Sequence, residues 1–140
     1  MCQLVLAGQP LDGTREINGK ANVGGLIRDA NGNWIRGFGM NIGSCPISIA
    51  EIWGLYQGLN LAWNYGIRFL GAKVDSLCIL HMMESRGQSP NVHTPLINSI
   101  KNLLTKDWHV SFQHIYHEAN FATDFLVRNA GSLPFEFHVF

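Results

Sequence analysis

Residues 22–42 read NVGGLIRDANGNWIRGFGMNI, and they carry the clearest structural pattern in the chain. The segments Asn22–Asp29 and Trp34–Ile42 combine branched and aromatic residues in the way that favours strands. Between them, Ala30–Asn33 contains an Asn-Gly pair, which is typical of a hairpin turn with positive φ. The sequence therefore predicts an antiparallel hairpin in the first third of the chain.

Upstream of the hairpin, Gln3–Leu11 contains enough Leu and Val for another strand. This segment would pair with the hairpin and begin the sheet as an antiparallel meander. Gly8 and Pro10 weaken the strand, and in a central strand Pro10 would remove one N–H from the ladder.

Downstream of the hairpin, the hydrophobic period changes from that of a strand to that of a helix. From Ser48 to Tyr65, apolar residues recur at i, i+3, i+4 and i+7, which predicts an amphipathic helix with Trp53 and Trp63 on its core face. Gly66 is a suitable helix stop. The later elements are a strand at Phe69–Val74, a helix over 75–83, a helix from Thr94–Pro95 to Leu104, a strand at Trp108–Tyr116 and a helix at Glu118–Ala130. This order predicts an α/β fold, a mixed sheet with helices on its faces.

Length and composition predict one domain over residues 1–140, because 46% hydrophobic residues are enough for one core. Ten basic and ten acidic residues exclude both a strongly basic protein that coats nucleic acid and a chain with an acidic disordered tail. The three cysteines lack metal-ligand spacing and predict reduced thiols. With no signal-peptide pattern and no run of about 18 apolar residues, we expect an intracellular protein, nuclear or cytoplasmic, without a membrane partner.

Four acidic residues lie at positions that a mixed sheet would bring together at one edge. Asp12 ends the first predicted strand, Glu51 lies in the first turn of the long helix, Asp75 ends the fourth strand and Asp124 lies within the last helix. If the first and fourth strands are adjacent and parallel, Asp12 and Asp75 leave the same edge of the sheet a few ångströms apart. Helices packed over that edge would add Glu51 and Asp124.

Clustered carboxylates repel one another unless a cation neutralises them. Hard oxygen ligands suit Mg²⁺ or Mn²⁺, and two such ions can activate a water and stabilise a leaving oxygen at a phosphodiester. Each acid also has a structural alternative. These alternatives are a turn at Asp12-Gly13, a capping box at Ser48-x-x-Glu51, a helix cap at Asp75-Ser76 and a solvated helix position at Asp124.

Taken together, the motifs resemble the ribonuclease H superfamily, and more narrowly the plant ribonuclease H-like domain related to non-LTR retrotransposon reverse transcriptases. The resemblance covers about residues 11–130 and implies a five-stranded mixed sheet of order 3-2-1-4-5, with the first three strands antiparallel and helices flanking the sheet. The matching stretches are DG at 12–13, GGLIRDANGNWIRGF at 24–38, AEIWGLYQGLNLAWNYGI at 50–67, VDS at 74–76 and HIYHEANFATD at 114–124.

The resemblance implies a metal-dependent endonuclease that hydrolyses the RNA strand of RNA/DNA hybrids with two Mg²⁺ or Mn²⁺ ions. By motif, its catalytic and metal-binding acids are Asp12, Glu51, Asp75 and Asp124. The alternative is a catalytically weak or inactive module, derived from a retroelement, that binds such hybrids or other nucleic acid. Pro10 and the zero net charge favour this alternative.

Several further residues are candidates for contact with substrate. Gly13, Thr14 and Asn18 follow the first strand and are candidates for contacts to 2′-hydroxyl groups. His117 is a candidate proton shuttle, the alternative being an ordinary histidine at a strand end. The apolar tail Leu133–Phe140 either packs on the domain or offers an edge to a partner. No motif indicates an obligatory protein partner.

Overall fold

The computed structural model describes residues 1–10, 20–44, 47–74, 94–114 and 137–139. These residues form six strands and two helices. In chain order they are β1 Cys2–Pro10, β2 Lys20–Arg28, β3 Trp34–Ser44, α1 Ile47–Asn64, β4 Phe69–Val74, α2 Thr94–Leu104, β5 His109–His114 and β6 Phe137–Val139. The helices predicted over 75–83 and 118–130 lie outside the described residues.

The hairpin predicted from residues 22–42 forms between β2 and β3, which pair antiparallel. Gly32 carries the positive φ of its turn, at 84°. Asp29 fixes the turn, because its Oδ1 accepts N–H bonds from Asn31 and Asn33, each 2.9 Å long. The local turn chemistry therefore predicted this connection correctly.

The strands form one mixed sheet of order β5-β4-β1-β2-β3-β6. β1 pairs antiparallel with β2 and parallel with β4, and β4 pairs parallel with β5. These pairings confirm the predicted order 3-2-1-4-5. The five predicted strands are confirmed, and residues 137–139 add a sixth strand that pairs antiparallel with β3. Residues 137–139 of the apolar tail thus pack on the domain through backbone pairing at the β3 edge.

β1 is the central strand that the sequence predicted only weakly. Its bounds, Cys2–Pro10, are close to the predicted Gln3–Leu11. Pro10 is the last residue of the strand and pairs with Ala21 of β2. A proline at the end of a strand disturbs the ladder less than one in its interior, so β1 accommodates Pro10.

The core lies between the sheet and α1. Sheet residues Leu4, Val23 and Phe38 are fully buried, and so is Leu59 of the helix. The buried side of α1 also carries four small residues at a spacing of four, namely Ala50, Gly54, Gly58 and Ala62. These small residues let the helix backbone approach the sheet closely.

Trp53 corrects one expectation about α1. It was predicted to lie in the core, yet 38% of its surface is exposed. It packs edge-on against Tyr56, with the ring centroids 6.2 Å apart. The period of apolar residues predicted a core-facing side of α1 that is wider than the observed one, because small residues fill the positions nearest the sheet.

The carboxyl end of α1 is closed by Gly66, as predicted. Gly66 has a φ of 89°, and its N–H donates to the carbonyl of Trp63 while the N–H of Ile67 donates to that of Ala62. The Arg68 guanidinium lies 3.6 Å from the centroid of the Trp63 ring. These contacts attach the end of α1 to the start of β4. Neither described helix is long and apolar enough to cross a membrane.

Candidate active site

Two strands of the sheet end at the same edge. β1 and β4 are parallel neighbours, so their carboxyl ends lie at the same edge. β4 ends at Val74, and Asp75 is the next residue in the chain. β1 ends at Pro10, two residues before Asp12. The predicted adjacent and parallel arrangement of these two strands is confirmed.

Helix α1 brings Glu51 toward this same edge. A Cβ on Gly58 would lie 2.8 Å from Cδ2 of Leu4, near the start of β1. One turn earlier in α1, Gly54 approaches Val23, which pairs with the carboxyl half of β1. The amino end of the helix therefore overlies the carboxyl end of the strand. Glu51 lies about 4.5 Å further along the helix axis in that direction.

The local surroundings of Glu51 remove one of its structural alternatives. α1 begins at Ile47, so Ser48 lies inside the helix and Glu51 is in the second turn rather than the first. A capping box needs the serine just before the helix, and this placement does not provide it. Glu51 is half-buried, and its chain neighbours Ala50 and Ile52 are almost fully buried. Glu51 is therefore held by a well-packed turn of helix near the edge where β1 and β4 end.

The register of β1 against β4 is given by four pairs, which run from Cys2 opposite Leu70 to Val5 opposite Lys73. The sequence did not predict this register, because the register depends on a pairing between distant segments. The expectation that Asp12 and Asp75 lie a few ångströms apart concerns residues outside the described part of the chain and stays a prediction.

The remaining predicted site residues also lie outside the described residues. They are Gly13, Thr14, Asn18, His117 and Asp124. Their assignments stay predictions from sequence.

The donor chemistry of the four acids fits a hard divalent cation such as Mg²⁺ or Mn²⁺, because carboxylate oxygens are the preferred ligands of these ions. Within the described residues, no three His, Cys, Asp or Glu side chains come together as a metal site. Three of the four predicted ligands lie outside that part of the chain. Glu51 is the one predicted ligand within the described residues, and its assignment stays a prediction.

The family of this chain follows from its similarity to known proteins. The family described as "Reverse transcriptase-like" matches residues 11–130, which include all four predicted acids. The chain belongs to the reverse transcriptase-like family. One relative is the Arabidopsis thaliana "Putative ribonuclease H protein", which is 38% identical to this chain over 130 residues. The alignment covers 92% of this chain and 21% of the relative, so the chain spans about a fifth of that protein's length.

Solved structures show the same fold as this member of the reverse transcriptase-like family. RNase H1 from the archaeon Halobacterium salinarum is 21% identical, with a TM-score of 0.78 over 92% of this chain and 96% of that one. LC11-RNase H1 in complex with an RNA/DNA hybrid is 22% identical, with a TM-score of 0.79 over 94% of this chain and 97% of that one. The fold is therefore that of ribonuclease H.

Proposed function

We propose that this chain is a metal-dependent endonuclease that hydrolyses the RNA strand of RNA/DNA hybrids. The observation that carries the proposal is the placement of Glu51 at the edge where β1 and β4 end, in a chain whose family match includes all four acids. LC11-RNase H1, which shares the fold, is in complex with an RNA/DNA hybrid. A nuclear or cytoplasmic location stays a prediction from sequence.

The acids have distinct roles in this proposal. Asp12, Glu51 and Asp75 would hold the divalent ions, and Asp124 would help to hold one of them near the attacking water. Bound Mg²⁺ or Mn²⁺ would supply activation of that water and stabilisation of the leaving oxygen. The products would carry a 5′-phosphate and a 3′-hydroxyl.

Substrate recognition would come from residues that follow the first strand. Gly13, Thr14 and Asn18 would contact 2′-hydroxyl groups across the minor groove, which distinguish RNA from DNA. His117 would move a proton to or from the reacting water. With equal numbers of basic and acidic residues, we expect weak binding to hybrids, because few basic residues are available to release counterions from the phosphates.

Glu51 offers the sharpest test of the hydrolase, because its position is described. Glu51→Gln keeps the size of the side chain and removes its charge, so we expect cleavage of an end-labelled RNA/DNA hybrid to fall by about 100-fold or more. The assay contains Mg²⁺ or Mn²⁺, with single-stranded RNA and duplex DNA as comparison substrates.

The matched control is Asp29→Asn, which removes one negative charge at the hairpin turn on the opposite edge of the sheet. Cleavage by this variant should equal that of the natural chain. Folded protein that shows no metal-dependent cleavage at high concentration would overturn the hydrolase proposal. Retained binding to the hybrid would then favour the alternative, a nucleic-acid-binding module without activity.

A further inference from the structure

Exposed aromatic rings lie at the end of the sheet opposite the edge where β1 and β4 end. The amino ends of β4 and β5 meet there, with Phe69 opposite His109. Since the amino end of α1 overlies the carboxyl end of β1, the carboxyl end of the helix lies over this opposite end. Tyr65, just after the helix, is 51% exposed, and Phe69 is 65% exposed. Two large rings that face solvent four residues apart mark a candidate contact surface.

Basic groups stand beside these rings. The guanidinium carbon of Arg36 lies 5.4 Å from the centroid of the Tyr65 ring. Arg68 and Lys106 approach the ring of Trp63, with their charged groups 3.6 and 5.3 Å from its centroid. All three basic side chains are exposed. This end of the sheet therefore presents aromatic faces and positive charge together.

The link between α1 and β4 is held by hydrogen bonds. Nη1 of Arg68 donates to the carbonyls of Trp63 and Ile67, at 3.0 Å each. The carbonyl of Arg68 accepts the N–H of His109 at 2.8 Å. The ring of His109 lies against that of Phe69, with the centroids 6.4 Å apart. Groups that are held in place before binding lose less conformational entropy when a ligand arrives.

The charged side chains described at this end have a positive sum. Four are basic and two are acidic, which gives +2 in a chain whose formal net charge is zero. They are Arg28, Arg36, Arg68 and Lys106 against Asp29 and Asp107. The Asp29 carboxylate already accepts N–H bonds within its turn. A local excess of positive charge attracts a polyanion even when the whole chain is neutral.

We propose that the amino-end surface, formed by Arg36, Tyr65, Arg68, Phe69 and Lys106, binds single-stranded nucleic acid. Its two exposed rings would stack on bases, and its three basic groups would neutralise phosphates. A protein partner would favour a continuous apolar patch, whereas here a basic or imidazole side chain lies next to each exposed ring. From β3 to β5 the sheet spans four strand spacings, about 19 Å, which is long enough for more than one base to stack. This surface lies away from the proposed hydrolase site.

Binding of a short RNA strand tests the inference. Fluorescence anisotropy of a labelled oligouridylate of about 12 nucleotides, in EDTA and at low salt, should give the natural chain a Kd of about 1–100 µM. EDTA keeps the measurement independent of metal-dependent cleavage. Labelled oligothymidylate of the same length should bind similarly, because stacking does not depend on the 2′-hydroxyl.

Substitutions at Tyr65 separate stacking from apolar contact. Tyr65→Leu keeps an apolar side chain without an aromatic face, and its affinity should fall by about tenfold. Tyr65→Phe keeps the ring and should bind within about twofold of the natural chain. The control for location is Trp53→Leu, which removes an exposed ring near the other end of α1 and should leave binding unchanged. Circular dichroism and Tm confirm that each variant is folded.

The salt dependence tests the role of Arg36. Arg36→Gln should weaken binding and should reduce the slope of log K against log salt by about 0.7, because one phosphate contact is lost. Arg36→Lys should keep the slope. A purely structural role of Arg36 would change the affinity without changing the slope. Photocrosslinking with thiouridine-labelled RNA, followed by mass spectrometry, should place adducts on Tyr65 or Phe69.

The outcomes also separate this inference from the hydrolase proposal. A natural chain that is folded but binds neither oligonucleotide more tightly than about 1 mM overturns the inference, and so does equal binding by Tyr65→Leu and Tyr65→Phe. Loss of binding in Trp53→Leu alone would place the strand elsewhere and overturn it too. Self-association in sedimentation that Tyr65→Leu abolishes, without RNA binding, would assign the surface to a second copy of the chain.

Hybrid cleavage without oligonucleotide binding overturns the inference and leaves the proposed function standing. Oligonucleotide binding at the amino-end surface without hybrid cleavage supports the inference, and the hydrolase proposal then fails alone.

Discussion

Single residues set the turns that connect the elements. Asp29 orders the β2–β3 turn by accepting N–H bonds, and Gly66 adopts the positive φ that ends α1. Both residues act through chemistry that is local in sequence, since each bonds to groups within five positions of itself. For this reason the hairpin and the helix end were both predictable from the sequence.

A pH dependence follows from Asp29. The N–H of Asn33, with further hydrogen bonds from Asn31 and Gly32, holds the pKa of this carboxyl below its ordinary value of 3.8. Because the folded pKa is the lower one, the stabilisation is complete above about pH 3.8 and is lost as pH falls through the folded pKa. Asp29→Ala should therefore destabilise the protein above that pH, and its difference from the natural chain should shrink under stronger acid.

Urea unfolding at a series of pH values measures this difference, and an NMR titration of the Asp29 carboxyl gives its midpoint directly. A midpoint at or above 3.8 would contradict the assignment.

At the scale of the element, helix α1 is defined by its small residues as much as by its large ones. Gly54 and Gly58 allow the helix to lie close to Val23 and Leu4. This close approach seats the helix on the sheet and so sets the position of Glu51. A pattern of large apolar residues predicted the helix, but it did not show which positions meet the sheet.

Gly58→Ala tests the close approach of α1. Alanine usually stabilises a helix interior by about 1 kcal/mol relative to glycine. Here the added Cβ would meet the two methyl groups of Leu4 at 2.8 and 2.9 Å, so either the helix or the leucine must move. We expect urea unfolding to show a net destabilisation of about 1–3 kcal/mol, because overpacking destabilises the core by more than the helix propensity of alanine stabilises the helix.

The control for this substitution is Asn64→Ala, an exposed position at the end of the same helix. Its effect should be within about 0.5 kcal/mol. A Gly58→Ala variant that is as stable as the natural chain, or more so, would show that the helix does not need this glycine.

At the scale of the whole molecule, β6 joins the last described residues to the rest of the sheet. It pairs with β3 through Phe38–Val139, Gly39–His138 and Met40–Phe137. Since an unpaired strand edge is open to association with another chain, β6 protects this edge of the sheet. The sequence left open whether the tail packs on the domain, and the pairing settles this point.

Removing residues 137–140 should expose the edge of β3. We expect faster hydrogen exchange at the β3 amides of residues 38–40, a Tm lower by about 2–4 °C and more self-association at high concentration. Mass-spectrometric hydrogen exchange and sedimentation measure these effects. Amides of β4 and β5, on the far side of the sheet, should keep their protection. Unchanged exchange in β3 would mean that β6 contributes little to the edge.

The sequence by itself determined the features that depend on neighbouring residues. These are the hairpin, the period and stop of α1, the strand at residues 69–74, the helix that begins at Thr94 and the candidate Glu51. Turn chemistry and hydrophobic period act over a few residues, so they are visible in a single chain. The motif resemblance also predicted the order of the first five strands, which the pairings confirm.

Only the tertiary structure decided the register of β1, the exposure of Trp53 and the pairing of the tail. Each depends on contacts between segments that are far apart in the chain. The register of β1 is not visible in local patterns, because a strand can slide along its neighbours without any change in its own sequence. The structure pairs Val5 of β1 with Lys73 of β4, a register that no local pattern predicted.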